Sequence, residues 1–121
     1  MITMKHVCVH VLDLDRSIAF YRDALGLTPQ RTVDMPDRGW QLVFLGDGVT
    51  GFQLELCQET GRTQPYVLGD DTPHVALVAQ DFEETKAKHQ TMGLVFDELA
   101  SGIYFIKDPD GHILEILPEK R

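Results

Sequence analysis

Two histidines and two glutamates are the residues of this chain whose types and spacing best suit metal chemistry. They occur in the order His6, Glu55, His74 and Glu115, each within a short apolar segment that alternates like a β-strand. Imidazole nitrogens and carboxylate oxygens together suit divalent transition metals. Because the order His, Glu occurs twice, the sequence predicts a duplicated unit that contributes one imidazole and one carboxylate per copy to a His2Glu2 site.

The elements that must position these residues form two similar halves, whose first histidines stand at positions 6 and 74, a period near 68 residues. Asp13 and Asp81 are predicted to begin a helix in each half, and Gly26 and Gly93 to end it. Predicted strands are 5–11, 31–33, 41–45 and 52–57 in the first half, and 74–79, 95–97, 104–107 and 112–117 in the second. Turns are predicted at 46–48 and 108–111, and a long connection at 58–73.

This order predicts an α+β fold of two tandem βαβββ modules, about 1–60 and 70–121, within one domain covering 1–121. Neither module is large enough to bury much surface by itself. We therefore expect the modules to pack on each other or on another chain.

Strand alternation places the candidate ligands on one face. His6, Cys8 and His10 share a face of their strand, and Val7, Val9 and Val11 share the other. Phe52, Leu54 and Leu56 likewise oppose Gln53, Glu55 and Cys57. If the helices cover the apolar faces, the histidine and glutamate of each half meet the same cavity, where a carboxylate needs a partner because its desolvation is costly.

The remaining histidines and cysteines are assigned to other roles. His10 lies about 13 Å along the strand from His6, too far to share one ion. Cys8 and Cys57 are alternative soft ligands, but we interpret them as cavity lining because thiolates would favour a closed zinc site. His89 and His112 are interpreted as surface residues.

Composition restricts the function classes. The chain of 121 residues has 19 acidic and 11 basic residues and a net charge of −8. Its basic residues are scattered, so nucleic acid and anionic membrane surfaces are poor partners. No segment approaches the ~20 apolar residues that cross a bilayer, and no signal-peptide pattern precedes the first strand. We expect a cytoplasmic protein whose two cysteines are reduced.

With these residues in view, the chain resembles the vicinal oxygen chelate superfamily, and within it the glyoxalase I (lactoylglutathione lyase) family. The similar segments cover nearly the whole chain: His6, Val11–Tyr21, Leu25–Leu27, Leu54–Leu56, Pro65–Asp70, His74–Ala76 and Asp108–Ile116. The Asp-Pro-Asp-Gly turn marks only the superfamily. Four ligand positions filled as His, Glu, His, Glu resemble the lyase more specifically, since extradiol dioxygenases lack the first glutamate and methylmalonyl-CoA epimerases usually carry glutamine there.

The resemblance implies a curved, open mixed sheet around a metal cavity, in a lyase that converts the hemithioacetal of methylglyoxal and a thiol to an S-lactoyl thioester. Reaction would pass through an enediolate, with Glu115 as the base and Glu55 as ligand or partner. A first ligand of His in a short chain resembles the class that prefers Ni²⁺ or Co²⁺, with Zn²⁺ possible. In the family each site is shared across a homodimer, which would join His6 and Glu55 of one chain to His74 and Glu115 of the other.

The chain departs from the family pattern where the thiol would bind. His10 stands where the family often has arginine, and Glu59 where it often has asparagine. The segment Glu98–Gly102 lacks basic residues that would meet a glutathione carboxylate, so the thiol stays open. His10, Cys8, Cys57 and Glu59 are the candidate substrate-pocket residues. The alternatives are an epimerase or dioxygenase of the same superfamily, and a resistance protein that sequesters a small molecule.

Overall fold

The structure is a computed structural model that describes residues 1–70 and 73–120. The chain divides into two compact units, Met1–Val67 and Leu68–Arg121. The first unit contains β1 (His6–His10), α1 (Leu14–Leu25), β2 (Thr28–Met35), β3 (Trp40–Gly46) and β4 (Gln53–Glu59). The second contains β5 (His74–Ala79), α2 (Phe82–Thr91), β6 (Val95–Glu98), β7 (Tyr104–Lys107) and β8 (Ile113–Pro118).

Both units have the same topology. The first sheet has the order β1-β4-β3-β2 and the second β5-β8-β7-β6. In each, the first strand runs parallel to the last, and the other neighbours are antiparallel. The predicted α+β class and the two βαβββ modules are thus confirmed.

Aspartates begin both helices, as predicted. The Asp13 carboxylate accepts a hydrogen bond from the backbone N–H of Arg16 at 3.1 Å, and Asp81 accepts one from Glu84 at 3.4 Å. Such side chains replace the missing partners of the first helical N–H groups. Gly26 ends α1 with φ of 68°, a left-handed conformation that glycine adopts without steric cost.

Helix α1 covers one face of the first sheet. Leu54 and Leu56 of β4 are buried on that face, together with Tyr21 of the helix. The Gln58 side chain fixes the start of the helix there, because its Oε1 accepts a hydrogen bond from the Leu14 N–H at 2.7 Å. The opposite face carries His6, Cys8 and Glu55, and we call it the ligand face of this unit.

The second unit follows the same rule. Tyr104, Leu114 and Ile116 are buried on the face covered by α2. The Tyr104 hydroxyl lies 2.9 Å from Nδ1 of His89 in that helix. The other face carries His74, Ala76 and Glu115, and it is the ligand face of the second unit.

Each unit has a β-bulge in its second strand, at the same position of the repeat. Pro29 pairs with Leu45 and Arg31 with Phe44, which leaves Gln30 as the extra residue of β2. In β6 the pairing passes from Val95 to Asp97 in the same way. A bulge moves every following side chain to the other face of the strand. Because it occurs in both modules, it determines which residues of β2 and β6 lie on the ligand face.

Gly46 makes room for the first bulge, which gives a stability prediction. A Cβ at Gly46 would stand 2.8 Å from Cγ of Gln30, so the Gln30 side chain or the bulge that carries it would have to shift. We expect Gly46→Ala to lower the free energy of unfolding by about 1–3 kcal/mol through overpacking. Urea unfolding measures the loss.

Gly51→Ala is the matched control, because an added Cβ there meets nothing within 4 Å. It is expected to change the free energy of unfolding by less than about 0.5 kcal/mol. Equal stability of the two variants would contradict the assignment of Gly46 as a spacer for the bulge.

The structure corrects several boundaries. Strand β2 covers Thr28–Met35, longer than the predicted 31–33, because an edge strand tolerates the polar residues and the proline that hid it. Gly46 belongs to β3, so the connection from β3 to β4 is 47–52 and not a tight turn at 46–48. The connection between the halves begins at position 60, and its residues Asp71 and Thr72 lie outside the described part. Among the described residues, no helix has the length and apolar character needed to span a bilayer.

The interpretation of His89 as a surface residue is wrong. His89 is fully buried, and it stands seven residues after Phe82, on the same face of α2. Its contact with Tyr104 provides the polar partner that a buried imidazole requires. Burial also raises the pKa of Tyr104 to about 12, so its hydroxyl stays protonated at neutral pH. His112 is half-buried.

Candidate metal centre

The first predicted pair of ligands lies together on the ligand face of the first unit. Strand β1 runs beside β4, with His6 opposite Gln53 and Cys8 opposite Glu55. The Nε2 atom of His6 lies 3.1 Å from Oε1 of Glu55. The histidine side chain is 37% exposed and the glutamate 12%, so both donors reach the surface of this face without being free in solvent.

The second predicted pair repeats this geometry. Strand β5 runs beside β8, with His74 opposite Ile113 and Ala76 opposite Glu115. The Nε2 atom of His74 lies 3.4 Å from Oε1 of Glu115, and the side chains are 41% and 10% exposed. Each unit therefore brings one imidazole nitrogen and one carboxylate oxygen to a single point.

An aromatic ring that no sequence pattern had indicated supports each pair. Phe44 stands opposite Glu55 in β3, and its ring meets the edge of His6 at 5.3 Å between centroids. Phe105 stands opposite Glu115 in β7 and meets His74 at 5.8 Å. The repeat itself held the signal, because the two phenylalanines occupy the same position in their modules. Their packing fixes the orientation of the imidazoles.

The donor set fits a divalent transition metal. Two imidazole nitrogens and two carboxylate oxygens suit Ni²⁺, Co²⁺ or Zn²⁺, and in each pair the two donor atoms already converge. Within residues 1–70 and 73–120, no group of three or more His, Cys, Asp or Glu side chains is arranged to hold an ion. Each pair is thus one half of the predicted centre, and the complete His2Glu2 site stays a prediction.

Cys8 and Cys57 are free thiols on the ligand face. Cys8 donates a hydrogen bond to Glu55, and desolvation with this contact raises the pKa of the thiol to about 12. Burial, followed by the charges of Glu55 and Glu59, also raises the pKa of Cys57. Without a bound metal ion both thiols are thus harder to ionise than a free cysteine, and their role as cavity lining stays a prediction.

His10 belongs to an aromatic cluster further along the ligand face. Its ring meets Tyr66 at 5.3 Å and Trp40 at 6.4 Å, both edge-on. The guanidinium of Arg62 lies 3.8 Å from the centre of the Tyr66 ring and 3.5 Å from a carboxylate oxygen of Glu59. The candidate pocket residues His10 and Glu59 thus adjoin Trp40, Tyr66 and Arg62, for which no sequence pattern had indicated a role.

An apolar patch lies between these groups. Leu42, Phe44 and Cys57 form a buried cluster, and Val33 and Met35 pack against it. All five side chains belong to the ligand face, according to the pairing of β2, β3 and β4. The polar pair His6–Glu55 is therefore bordered by a surface suited to a small apolar group.

A cleft on the opposite face does not contain this chemistry. It has a volume of about 740 Å³ and lies between the start of α1 and strands β2 and β3. Asp13, Asp34 and Gln58 are among its lining residues, and none of the four predicted metal ligands is.

Comparisons with known proteins identify the relatives of this chain. Residues 3–116 match the family described as the Glyoxalase/Bleomycin resistance protein/Dioxygenase superfamily. The lactoylglutathione lyase of Haemophilus influenzae is 35% identical to this chain, over 95% of the chain and 91% of the relative. A probable lactoylglutathione lyase of Synechocystis is also 35% identical, over 94% and 93%.

Solved structures show the same fold. The trypanothione-dependent glyoxalase I of Leishmania major superposes with a TM-score of 0.88 and 35% identity, covering 99% of this chain and 88% of that one. Glyoxalase I of Zea mays superposes with a TM-score of 0.80 and 30% identity, covering 93% of this chain and 43% of that one.

Proposed function

We propose that this chain, which belongs to the Glyoxalase/Bleomycin resistance protein/Dioxygenase superfamily, is a lyase of the glyoxalase I type. The substrate is the hemithioacetal of a 2-oxoaldehyde, such as methylglyoxal, and a thiol. The product is the S-lactoyl thioester. The observation that carries this proposal is the pair of equivalent His–Glu contacts at the same register positions of two repeated modules.

The chemistry requires a proton to move between adjacent carbons. Glu115 is the base that takes the proton from the carbon bearing sulfur and returns it to the former ketone carbon, while the hydroxyl proton moves to the neighbouring oxygen. His6, Glu55, His74 and Glu115 would hold a divalent ion, with Ni²⁺ or Co²⁺ preferred to Zn²⁺. When bound, that ion supplies Lewis-acid stabilisation of negative charge on the two substrate oxygens.

The remaining groups of the ligand face bind the substrate. The apolar patch of Leu42, Phe44 and Cys57 borders the methyl group of the aldehyde, since the Phe44 ring of that patch contacts His6. His10, Cys8 and Glu59 belong to the region of the thiol. The two units together act as one domain.

A homodimer completes the centre in this proposal. His6 and Glu55 of one chain combine with His74 and Glu115 of the partner subunit. Two facts support this arrangement: each unit brings together only two of the four donors in the described residues, and the histidine faces of β1 and β5 are exposed in the single chain.

Metal removal tests the function. We expect protein treated with a chelator to form no thioester from methylglyoxal and a thiol. Reconstitution with Ni²⁺ or Co²⁺ should restore more activity than Zn²⁺, as the resemblance to the class that prefers Ni²⁺ or Co²⁺ implies. The assay follows thioester absorbance, with metal content measured on the same samples. Glutathione and trypanothione are the two thiols to compare, because relatives of equal identity are named for each.

Other outcomes would identify a different member of the superfamily. Solvent deuterium incorporation into an acyl substrate without thioester formation would indicate an epimerase. Oxygen uptake with Fe²⁺ would indicate a ring-cleaving dioxygenase. Tight binding of a small hydrophobic compound by protein that takes up no metal would indicate a sequestering resistance protein.

A further inference from the structure

We propose that Arg31 is a specificity-determining residue that binds a carboxylate of the thiol half of the substrate, beside the first His–Glu pair. This inference deepens the proposed function and rests on it. Neither the pattern of candidate ligands nor the predicted strand at 31–33 indicates a function for Arg31.

The bulge in β2 is what brings Arg31 to the ligand face. Before the bulge, Pro29 pairs with Leu45, and after it Arg31 pairs with Phe44. In a regular ladder, Gln30 would stand opposite Phe44, and Arg31 would lie on the face covered by α1. Bulges frequently re-aim a side chain next to an active site, and Gly46 leaves space for the side chain of the extra residue, Gln30.

Phe44 holds the guanidinium close to the metal-binding pair. The Cζ atom of Arg31 lies 4.3 Å from the centre of the Phe44 ring, and the same ring contacts His6 at 5.3 Å. Phe44 in turn stands opposite Glu55. Cation–π stacking of this kind orients the guanidinium plane and reduces the side-chain freedom that ligand binding would remove.

Among the described residues, the Arg31 guanidinium has no anionic partner. Across residues 1–70 and 73–120, the structure gives Arg31 a contact with the Phe44 ring and no ion pair or side-chain hydrogen bond. The chain has 19 acidic residues against 11 basic ones, so carboxylates are abundant. Arg62, by comparison, is paired with Glu59 and with two backbone carbonyls. Arg31 therefore has its N–H donors available for a ligand.

The second module shows that the fold does not require an arginine here. Asp97 follows the equivalent bulge and stands opposite Phe105, as Arg31 stands opposite Phe44. Its carboxylate accepts a hydrogen bond from the backbone N–H of Glu98 at 2.9 Å. Packing of the fold therefore does not require an arginine at this position, and the exposed Arg31 side chain is open to a ligand.

The distance also suits a peptide thiol. Arg31 and Glu55 are separated by two strand spacings, about 10 Å. A cysteinyl peptide whose sulfur is bound beside Glu55 spans that distance with one residue on either side of the cysteine. The planar fork of an arginine matches a carboxylate through two parallel hydrogen bonds. This supplies the basic group that Glu98–Gly102 lacks.

Binding of a non-reacting probe tests the inference without relying on catalysis. S-hexylglutathione and its diethyl ester differ only in their carboxylates, and the single tryptophan, Trp40, lies on the ligand face and reports binding by fluorescence. On the Zn²⁺-loaded protein, we expect the free acid to bind more tightly than the ester. Arg31→Gln should weaken the free acid by about 10- to 100-fold, as for a hydrogen bond between charged groups, and leave the ester unchanged.

Two variants separate recognition from charge. Arg22→Gln removes the same charge from an exposed arginine that pairs with Asp23 on α1, and it should bind both probes like the wild type. Arg31→Lys keeps the charge without the fork and should recover only part of the affinity. If Arg31→Lys bound the free acid as tightly as the wild type, residue 31 would still bind the carboxylate, but the bidentate geometry would be excluded.

The results distinguish this inference from the proposed function. Equal discrimination between acid and ester by wild type and Arg31→Gln would overturn it, as would a wild type that binds both probes equally or neither. Failure of the wild type to form thioester, with discrimination retained, would overturn the lyase proposal and leave Arg31 as an anion-binding residue.

Discussion

Replacement of Glu115 with glutamine is expected to lower kcat for thioester formation by about 10²- to 10⁴-fold, the usual contribution of a positioned base. Glutamine keeps the size of the side chain and an oxygen that can face a metal ion, but it cannot accept the proton from carbon. Glu115 is 8% exposed and forms its polar contact with His74, so the substitution leaves the surrounding core in place.

The two glutamates are not equivalent, which is the reason for choosing Glu115. Cys8 stands opposite Glu55 and donates a hydrogen bond to it. The corresponding position opposite Glu115 is Ala76, which has no donor. Each glutamate contacts the histidine of its own pair, but Glu55 has Cys8 as an additional partner, as suits a ligand. Glu115 keeps its capacity to receive a proton.

Glu119→Gln is the matched control, since it makes the same chemical change at an exposed position after β8. It should retain full activity. The experiment measures kcat and bound metal for each variant, together with solvent deuterium incorporation. Glu115→Gln with normal metal content and wild-type turnover would disprove the role of Glu115 as the base, and the same loss in Glu55→Gln alone would assign that role to Glu55.

Much of the fold follows from short-range signals in the sequence. Alternation of valines with His6, Cys8 and His10 specified a strand with two different faces, and Asp13 and Gly26 specified the helix after it. These signals depend on neighbouring residues, so a single sequence contains them. The repeat then gave the second half with little further argument.

Features that depend on pairing between strands could not be read in this way. The extra residue Gln30 is visible only once β2 is aligned with β3, and β2 itself has no apolar alternation. The sequence pattern therefore predicts only a short strand at 31–33 and gives no role to Arg31. The burial of His89 could not be predicted for the same reason, because its polar partner is the hydroxyl of Tyr104, fifteen residues away in the sequence.

Candidate ligands were easier to predict than the residues around them. A histidine or glutamate in an apolar strand is conspicuous because its burial is costly. Phe44 and Phe105 support those ligands, yet phenylalanine in a strand is ordinary. The surroundings of the site became recognisable only from the equivalent contacts of the two modules.

Mixing two inactive variants is expected to restore activity if each centre is shared between subunits. His6→Ala damages the pair of the first unit, and His74→Ala damages that of the second. Both side chains are more than a third exposed, so the variants should fold. In a dimer containing one chain of each kind, one centre receives both damaged pairs and the other receives both intact ones. Random mixing should then recover about a quarter of wild-type activity.

The restored fraction distinguishes shared centres from centres formed within one chain. If all four ligands came from one chain, every centre would contain one damaged pair, and mixing would restore nothing. His74→Ala mixed with Glu115→Gln is the control, because both changes damage the second pair and no combination yields an intact centre. Recovery in that control would mean that the two variants were not inactive at the centre. Recovery only in the first mixture requires that His6 and His74 of different chains serve one ion.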